Sequence, residues 1–177
     1  MLALYHGMGD ISVRRATMAD LPALDALVAR SFRTLGAGHY APTQIELALG
    51  PAIRVDRGLV EDGTYFAAML DGVLVGCGGW SSRHATAKDV PLPMPRAEVR
   101  AMFVDPSFGG RGVGRALLAA AERAIADAGF DVAYLLATRS GLAFYERAGY
   151  RALAEHVIRL SESTLEVTCM DRRLRAE

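Results

Sequence analysis

A glycine-rich loop that runs straight into a helix has the clearest capacity for chemistry in this sequence. It consists of Gly109, Gly110, Arg111, Gly112, Val113, Gly114 and Arg115. Glycine lets backbone N–H groups face a ligand, and the first N–H groups of a helix have no partner inside it. The helix dipole favours negative charge at the same place, so the pattern predicts a site for an anion such as pyrophosphate. A tight turn that needs glycine for geometry alone is the alternative, and the loop by itself does not decide.

The elements that must position this loop are a strand before it and a helix and strand after it. Residues 98–104 have a strand pattern that Asp105 and Pro106 end. Apolar residues recur at helical spacing over residues 113–128, and Gly129 stands where a helix end favours glycine. Residues 132–137 form a nearly unbroken apolar run, as in a parallel strand covered on both faces. The sequence therefore predicts a βαβ unit with a right-handed crossover.

The loop differs from two common phosphate-binding motifs. A Walker A loop ends in Gly-Lys-Ser/Thr, whereas Gly114 is followed by Arg115 and Ala116. A dinucleotide fingerprint follows its strand directly, whereas Pro106 separates the strand from the loop here. A nucleotide-binding domain with an unusual loop is therefore disfavoured.

Three motifs together resemble the GCN5-related N-acetyltransferase (GNAT) superfamily. They are Val104-x-Pro106, the Gly-x-Gly-x-Gly of residues 110–114, and Phe-Tyr-Glu-Arg-Ala-Gly-Tyr at residues 144–150. In that family the loop reads Arg/Gln-x-x-Gly-x-Gly/Ala and holds the pyrophosphate of acetyl-CoA. Gly109 replaces the Arg or Gln, and we expect Arg111 to supply the lost contact. Thr138 stands where the family has an asparagine.

The resemblance implies an enzyme that transfers acetyl from acetyl-CoA to a primary amine of a small molecule. The amine would attack directly, through a tetrahedral intermediate. A protein or peptide amine as acceptor, or a non-catalytic acyl-CoA sensor, are the alternatives. The implied fold is α/β (α+β): a central mixed, mostly antiparallel sheet with one parallel βαβ pair and flanking helices. We expect a single domain over residues 1–177, with residues 1–10 a loose extension, acetyl-CoA as cosubstrate and no metal.

The family resemblance also implies a base. A lysine-like amine has a pKa of about 10.4, so a proton must be removed, directly or through water. Glu98 stands at the usual place of the family's glutamate base. Strand alternation predicts that it shares a face with Arg100, Met102 and Val104. A structural carboxylate paired with Arg96 or Arg100 is an equal alternative.

An acid and an oxyanion site complete the implied chemistry. The leaving thiolate resembles cysteine, with a pKa of about 8.5, and Tyr145 matches the family's acid position. A core aromatic packed beside Phe144 is the alternative. Backbone N–H groups would stabilise the oxyanion and bind the pantetheine arm if the central strand splays from its parallel neighbour. The residues expected to bind acetyl-CoA are Met102, Phe103, Val104, Gly109, Gly110, Arg111, Gly112, Val113, Gly114, Arg115 and Tyr145.

Composition limits the partners. The chain has 177 residues, 51% of them apolar, and a formal net charge of zero. A neutral balance argues against nucleic acid, and no apolar run approaches the roughly 20 residues of a membrane span. Cys77 and Cys169 suit buried thiols in a reducing cytoplasm, where we expect the protein. Whether it forms a homodimer stays open.

The flanking segments show ordinary structural signals. Residues 11–15 alternate like a strand, and capping boxes at residues 17–20 and 43–46 each start a helix. Asp71-Gly72 predicts a type I′ hairpin between residues 64–70 and 73–78. Glycines in the second of these strands indicate a bulge or a close approach of another element. Residues 151–160 and 165–170 predict a closing hairpin.

The acceptor site is expected in the irregular segments 35–42, 81–97 and 161–164. His39 and Tyr40 lie in the first segment, and ordinary loop roles are an equal alternative for them. Arg83, His84, Lys88 and Asp89 lie in the second, where a solvated loop is the favoured alternative. The sequence does not identify the acceptor.

Overall fold

A seven-stranded sheet forms the centre of the molecule. The computed structural model describes residues 10–83, 90 and 92–174. The strands are β1 (Ile11–Arg15), β2 (Tyr65–Leu70), β3 (Val73–Ser81), β4 (Ala97–Val104), β5 (Val132–Thr138), β6 (Arg151–Arg159) and β7 (Thr164–Arg173). Their order in the sheet is β1-β2-β3-β4-β5-β7-β6. Only β4 and β5 run parallel among these neighbours, so the predicted mixed, mostly antiparallel sheet is confirmed.

Helices cover both faces of the sheet. They are α1 (Leu21–Gly36), α2 (Pro42–Ala48), α3 (Arg57–Glu61), α4 (Val113–Asp127) and α5 (Leu142–Arg147). One core joins the first three helices to one face, with Phe32, Ile45 and Leu59 buried in it. A second core packs Leu118, Ala121 and Ile125 of α4 on the other face. The crossover from β4 through α4 to β5 is the predicted βαβ unit.

Most local predictions match, because they rest on short-range backbone chemistry. The backbone N–H of Thr17 donates to Asp20 at 2.7 Å, which forms the first capping box. Asp71 and Gly72 both have positive φ, 49° and 79°, as a type I′ turn requires. Gly129, at φ 91°, follows the end of α4 as predicted. The β6–β7 hairpin also forms.

The second capping box was misplaced, and one short helix was missed. Helix α2 begins at Pro42, with Gln44 Oε1 accepting from the backbone N–H of Ala41 at 2.9 Å. Glu46 instead pairs with Arg33 of α1, at 2.7 Å. Proline suits a first helical position, so it sets the start two residues earlier than predicted. Helix α3 has only five residues, too few to show a helical period.

A bulge in β4 changes which side chains face which helices. Gly76 pairs with Val104, but Gly79 pairs with Arg100, so β4 holds one extra residue. The extra residue is accommodated at Ala101, whose φ is 50°. A Cβ on Gly78 would collide with Met102, which explains a glycine in the middle of β3. The close-approach interpretation of the β3 glycines is confirmed.

The bulge corrects the predicted face of Glu98. Ala101 and Phe103 pack with the α1 to α3 core, while Met102 and Val104 pack with residues of α4. Arg100 lies on the α3 side, where it pairs with Asp56. Glu98 therefore shares a face with Arg100 but not with Met102 or Val104. Strict alternation fails because an extra residue reverses the side-chain direction after it.

In the described part of the chain, no helix combines the length and the apolar character that a bilayer crossing needs. The same residues contain no group of three or more His, Cys, Asp or Glu arranged to hold a metal ion.

Candidate active site

Strands β4 and β5 separate halfway along their length. Their parallel pairing covers three positions and ends at Val99 and Leu135. Beyond that point β4 continues to Val104 and β5 to Thr138. The splay implied by the family resemblance is therefore present, and it turns the backbone of residues 102–104 towards a gap instead of a neighbouring strand. Such an edge can bind an extended ligand as an added strand.

The glycine loop brings the N-terminus of α4 to this gap. Asp105 Oδ1 accepts from the backbone N–H of Ser107 at 2.9 Å, which starts a 3-10 turn over Pro106–Phe108. Gly110 and Gly112 then adopt φ of 74° and 88°. These values favour glycine, and Gly112 is the residue that immediately precedes α4. The loop thus ends with the free N–H groups of a 15-residue helix facing outward.

Two arginines of this loop region are exposed and add positive charge. The guanidinium carbon of Arg111 lies 5.4 Å from the centre of the Phe108 ring. Arg115 projects from the first turn of α4. Both side chains are therefore available at the end of the helix where the dipole is positive.

Helix α1 fixes the end of β4 from the opposite side. The hydroxyl of Ser31 donates to the Val104 carbonyl at 2.8 Å. Arg30 Nη2 contacts Asp105 Oδ2 at 2.6 Å, and this pairing lowers the pKa of the Asp105 carboxyl. The last residue of β4, Val104, and the residue after it, Asp105, are thus both held by α1, which anchors the start of the loop.

A donor groove of about 150 Å³ occupies the gap between the splayed strands. Its walls come from α1, β4, the start of α4, the end of β5 and α5. The lining residues are Ser31, Phe32, Leu35, Met102, Phe103, Val104, Gly114, Thr138, Ser140, Gly141, Phe144 and Tyr145. A Cβ on Gly114 would lie 3.3 Å from the Phe144 ring, so only glycine keeps α4 and α5 this close without adjustment.

The donor groove suits the pantetheine arm of an acyl-CoA, with the glycine loop beside it for the pyrophosphate. Phe32, Phe103 and Phe144 make its wall largely apolar, and the polar helix terminus lies beside it at Gly114. A Cβ at Gly110 would meet nothing within 4 Å, so the space in front of the loop is open. An apolar slot beside an anion-favouring helix end matches the chemistry of a pantetheine arm joined to a pyrophosphate.

A second and larger cleft of about 740 Å³ opens on the other side of β4. We call it the acceptor cleft. Its floor is β4 and the ends of β5, β6 and β7, and its rim is the segment between α2 and α3. The lining residues are Pro51, Ala52, Ile53, Arg54, Asp56, Arg83, Met94, Arg96, Val99, Arg100, Ala101, Met102, Phe103, Leu136, Thr138, Tyr145, Ile158, Leu165 and Val167.

The two cavities meet at four residues. Met102, Phe103, Thr138 and Tyr145 line both the donor groove and the acceptor cleft. A group held in the groove can therefore reach a group held in the cleft without leaving the protein. This junction lies at the bulge of β4 and at the point where β4 separates from β5, so the backbone of β4 has fewer strand-pairing hydrogen bonds there.

Tyr145 projects into the junction from α5. Its ring packs edge-on against Phe144, with centroids 5.1 Å apart, and against Tyr150, at 5.7 Å. Burial raises the pKa of the Tyr145 phenol above its usual value. The hydroxyl therefore keeps its proton at neutral pH, which is the state that a proton donor needs.

Glu98 lies behind the cleft surface, with an exposed fraction of 1%. Its Oε2 accepts from Arg96 Nε at 3.0 Å, and its Oε1 is 4.0 Å from Arg100 Nε. Both arginines line the acceptor cleft, whereas the carboxylate itself does not. Pairing with Arg96 and Arg100 is what the sequence analysis gave as the alternative to a catalytic base. Because the carboxylate is buried, Glu98 could act on a molecule in the cleft only through these arginines or through water.

The predicted acceptor segments contribute unequally. Arg83, Met94 and Arg96 line the acceptor cleft, but Leu35 lines the donor groove instead. Tyr40 is a core residue, 5% exposed, whose hydroxyl donates to the Glu166 carbonyl and accepts from the Arg139 N–H.

Other members of those segments lie away from both cavities or cannot be placed. The carbonyl of His39 accepts from Arg139, so it has an ordinary loop contact. Residues 161, 163 and 164 line a separate surface depression with the end of β6. His84, Lys88 and Asp89 lie outside the described residues.

Several lining residues were not predicted. Phe32 belongs to the apolar stripe of α1 and Ser31 is a single polar residue beside it, so nothing in the sequence marks either of them as a groove residue. Arg54 and Asp56 stand in a segment without periodicity, and only the tertiary fold brings them to the cleft. Thr138 was noted solely as a departure from the family pattern.

The fold and the site define an acyl-CoA-dependent transferase: a splayed parallel pair, a glycine loop at a helix start, and two cavities that share a junction. The family model described as "Acetyltransferase (GNAT) domain" matches residues 61–152. The chain belongs to this family and is an acetyl-CoA-dependent acetyltransferase. No curated protein matches it significantly.

Solved structures of the same fold cover nearly the whole chain. A GCN5-related N-acetyltransferase from Rhodopseudomonas palustris has a TM-score of 0.77 at 22% identity, over 96% of this chain and 99% of that one. The PaiA N-acetyltransferase from Thermoplasma acidophilum, solved with coenzyme A, has a TM-score of 0.69 at 18% identity, over 93% and 99%. An enzyme from Ralstonia eutropha has a TM-score of 0.63 at 25% identity, over 85% and 98%.

Proposed function

We propose that the chain transfers the acetyl group of acetyl-CoA to a primary amine of a small molecule. The observation that carries this proposal is the junction of the donor groove and the acceptor cleft at Met102, Phe103, Thr138 and Tyr145. A cleft of about 740 Å³ suits a small acceptor, because cavities of roughly 300–1,000 Å³ are typical of small-molecule sites. A protein amine would be the second candidate.

The donor side would be held mainly by backbone groups. Residues 109–115 and the start of α4 receive the pyrophosphate, with Arg111 and Arg115 adding charge-assisted contacts. The exposed edge of β4 at Met102, Phe103 and Val104 receives the pantetheine amides. When bound, acetyl-CoA supplies a thioester whose carbonyl carbon accepts the amine.

Proton transfers complete the reaction. The amine nitrogen forms a bond to the carbonyl carbon, and the carbon–sulfur bond breaks. Tyr145 donates its proton to the departing sulfur, while β4 backbone N–H groups stabilise the charge on the carbonyl oxygen. The nitrogen loses a proton to Glu98 through water, since the carboxylate does not line the cleft itself.

Incubation with radiolabelled acetyl-CoA and a panel of amines tests the proposal. We expect label to move to one or more small primary amines, with free thiol released in equal amount. Label on a peptide panel but on no small amine would favour the protein acceptor. Binding of acetyl-CoA without any transfer would support a sensor and overturn the proposal.

A further inference from the structure

The acceptor cleft is rich in arginine. Among the described residues, four guanidinium groups line it, those of Arg54, Arg83, Arg96 and Arg100, against one lining carboxylate, that of Asp56. Arginine presents donors in a planar fork that matches a carboxylate. The composition of the wall therefore bears on the charge of the molecule that the cleft accepts.

Three of these arginines already contact carboxylates. Arg83 Nη2 lies 2.6 Å from Asp62 Oδ1, and Arg96 Nε lies 3.0 Å from Glu98 Oε2. Arg100 lies 3.2 Å from Asp56 Oδ2. These pairs fix the guanidinium groups in place, and each uses an acidic residue that would otherwise attract a cationic acceptor.

Arg54 is different. Its side chain is exposed at the rim, and within the described residues it takes part in no ion pair or hydrogen bond. Among the described residues, Asp56, Asp62 and Glu98 each pair with one of the other three arginines, so Arg54 is the lining arginine without an acidic partner there. A guanidinium at the mouth of a cleft that has no protein partner is placed to bind an anionic group of a ligand.

The remaining wall of the cleft is apolar. Ile53, Leu136, Ile158, Leu165 and Val167 contribute to it. The amine of an acceptor must reach the junction at Tyr145, on the floor, while Arg54 lies on the rim. A fitting molecule thus has an amine at one end, an apolar body and a negative group that faces the rim.

We propose that the acceptor is a primary amine that also carries a carboxylate, and that Arg54 binds this carboxylate. The inference rests on the proposed function and adds the class of acceptor. A polyamine would place a second positive charge beside Arg54, which like-charge repulsion disfavours. Arg54 acts as a specificity-determining residue, not in the chemical step.

Amines paired with their carboxylated counterparts test the proposal. 5-Aminopentanoate and butylamine form one pair, and 6-aminohexanoate and pentylamine form a second; spermidine serves as the polyamine. The steady-state kcat/KM of each is measured with the full chain and with Arg54→Gln, Arg54→Lys and the control Arg57→Gln. Arg57 is exposed on the same rim segment but does not line the acceptor cleft.

We expect Arg54→Gln to lower kcat/KM for the amino acids about tenfold or more, the usual size of a contact to a charged group. The decarboxylated amines should change less than about twofold. Arg54→Lys should retain part of the preference, and Arg57→Gln all of it. Because each acceptor has the same intrinsic reactivity with every variant, the change in the ratio isolates Arg54.

Two results overturn the inference while leaving acetyl transfer intact: equal losses for both members of a pair in Arg54→Gln, or a preference of the unaltered protein for spermidine or the decarboxylated amines. Transfer to none of the amines, with acetyl-CoA still bound, would instead overturn the proposed function and the inference with it. A dipeptide such as Leu-Leu in place of 6-aminohexanoate distinguishes a peptide carboxylate from that of a free amino acid.

Discussion

The donor groove and the acceptor cleft are built by different parts of the chain. The donor side depends on the backbone of β4, the glycine loop and the start of α4, which are contiguous in sequence. The acceptor side depends on side chains from the α2–α3 segment, the segment between β3 and β4, and β4, β5, α5, β6 and β7. Short-range geometry assembles the loop and helix start of the first site, whose groove walls α1, β5 and α5 complete, whereas the second site depends on the packing of the whole sheet.

The difference suits the two ligands. The donor is always the same molecule, so backbone N–H groups and a helix end, the groups that we propose bind it, can recognise it with little dependence on the surrounding side chains. If the acceptor cleft selects the amine, as we propose, its recognition groups must be side chains. We therefore expect substitutions on the donor side to act through backbone geometry and charge, and substitutions on the acceptor side to act through individual side-chain contacts.

Tyr145 belongs to both the donor side and the acceptor side, because it lines both cavities, and its substitution should have the largest effect. Tyr145→Phe keeps the ring against Phe144 and Tyr150 and should lower kcat by about 10²–10⁴, with little change in the Kd for acetyl-CoA. The loss should shrink with a thioester whose thiol is more acidic, since that leaving group needs less help. Equal losses with both thioesters would assign Tyr145 to positioning alone, and no loss would return it to the apolar core.

Gly112 tests the donor side. Gly112→Gln and Gly112→Glu impose the same strain at φ 88° and nearly the same bulk, so only the charge differs between them. A negative charge about 4 Å from a phosphate costs about 4 kcal/mol at an effective dielectric constant near 20, or roughly a thousandfold in Kd. Calorimetry with acetyl-CoA should show this ratio. Equal Kd values for the two variants would move the pyrophosphate away from the loop.

Substitution of Glu98 tests the acceptor side, and it distinguishes a catalytic base from a structural carboxylate. If it is the base, Glu98→Gln should lower kcat/KM by about 10² near neutral pH. The deficit should diminish as pH approaches the amine pKa of about 10, because the amine then loses its proton without help. A loss that stays constant with pH, accompanied by a lower melting temperature, would make Glu98 a structural partner of Arg96 and Arg100.

Arg111 and Arg115 should produce smaller effects, because the donor site depends first on the backbone. A charge-assisted contact to phosphate contributes roughly 1.5–3 kcal/mol when buried and less when exposed, as both side chains are here. We expect at least one of Arg111→Ala and Arg115→Ala to weaken acetyl-CoA about tenfold by calorimetry. Unchanged Kd values in both would show that nothing replaces the family's side chain at Gly109.

The sequence was most informative where a pattern depends on neighbours along the chain. The hairpin at Asp71-Gly72, the capping box at Thr17 and the end of α4 at Gly129 are determined by local φ and hydrogen bonding, and all were predicted. The bulge at Ala101 was not predicted, because an extra residue in a strand leaves no mark in the apolar pattern. Its consequence, the reversed face of Met102 and Val104, was therefore missed as well.

The sequence by itself determined the βαβ unit, the anion-favouring loop and, through residues 98–150, the family. These follow from glycine content, helical spacing and strand composition within about 50 residues. Only the tertiary structure decided that β4 separates from β5 after Val99, that Glu98 is buried between Arg96 and Arg100, and that Arg54 lines the acceptor cleft. Those features arise from contacts between segments distant in sequence, and local composition does not specify which segments meet.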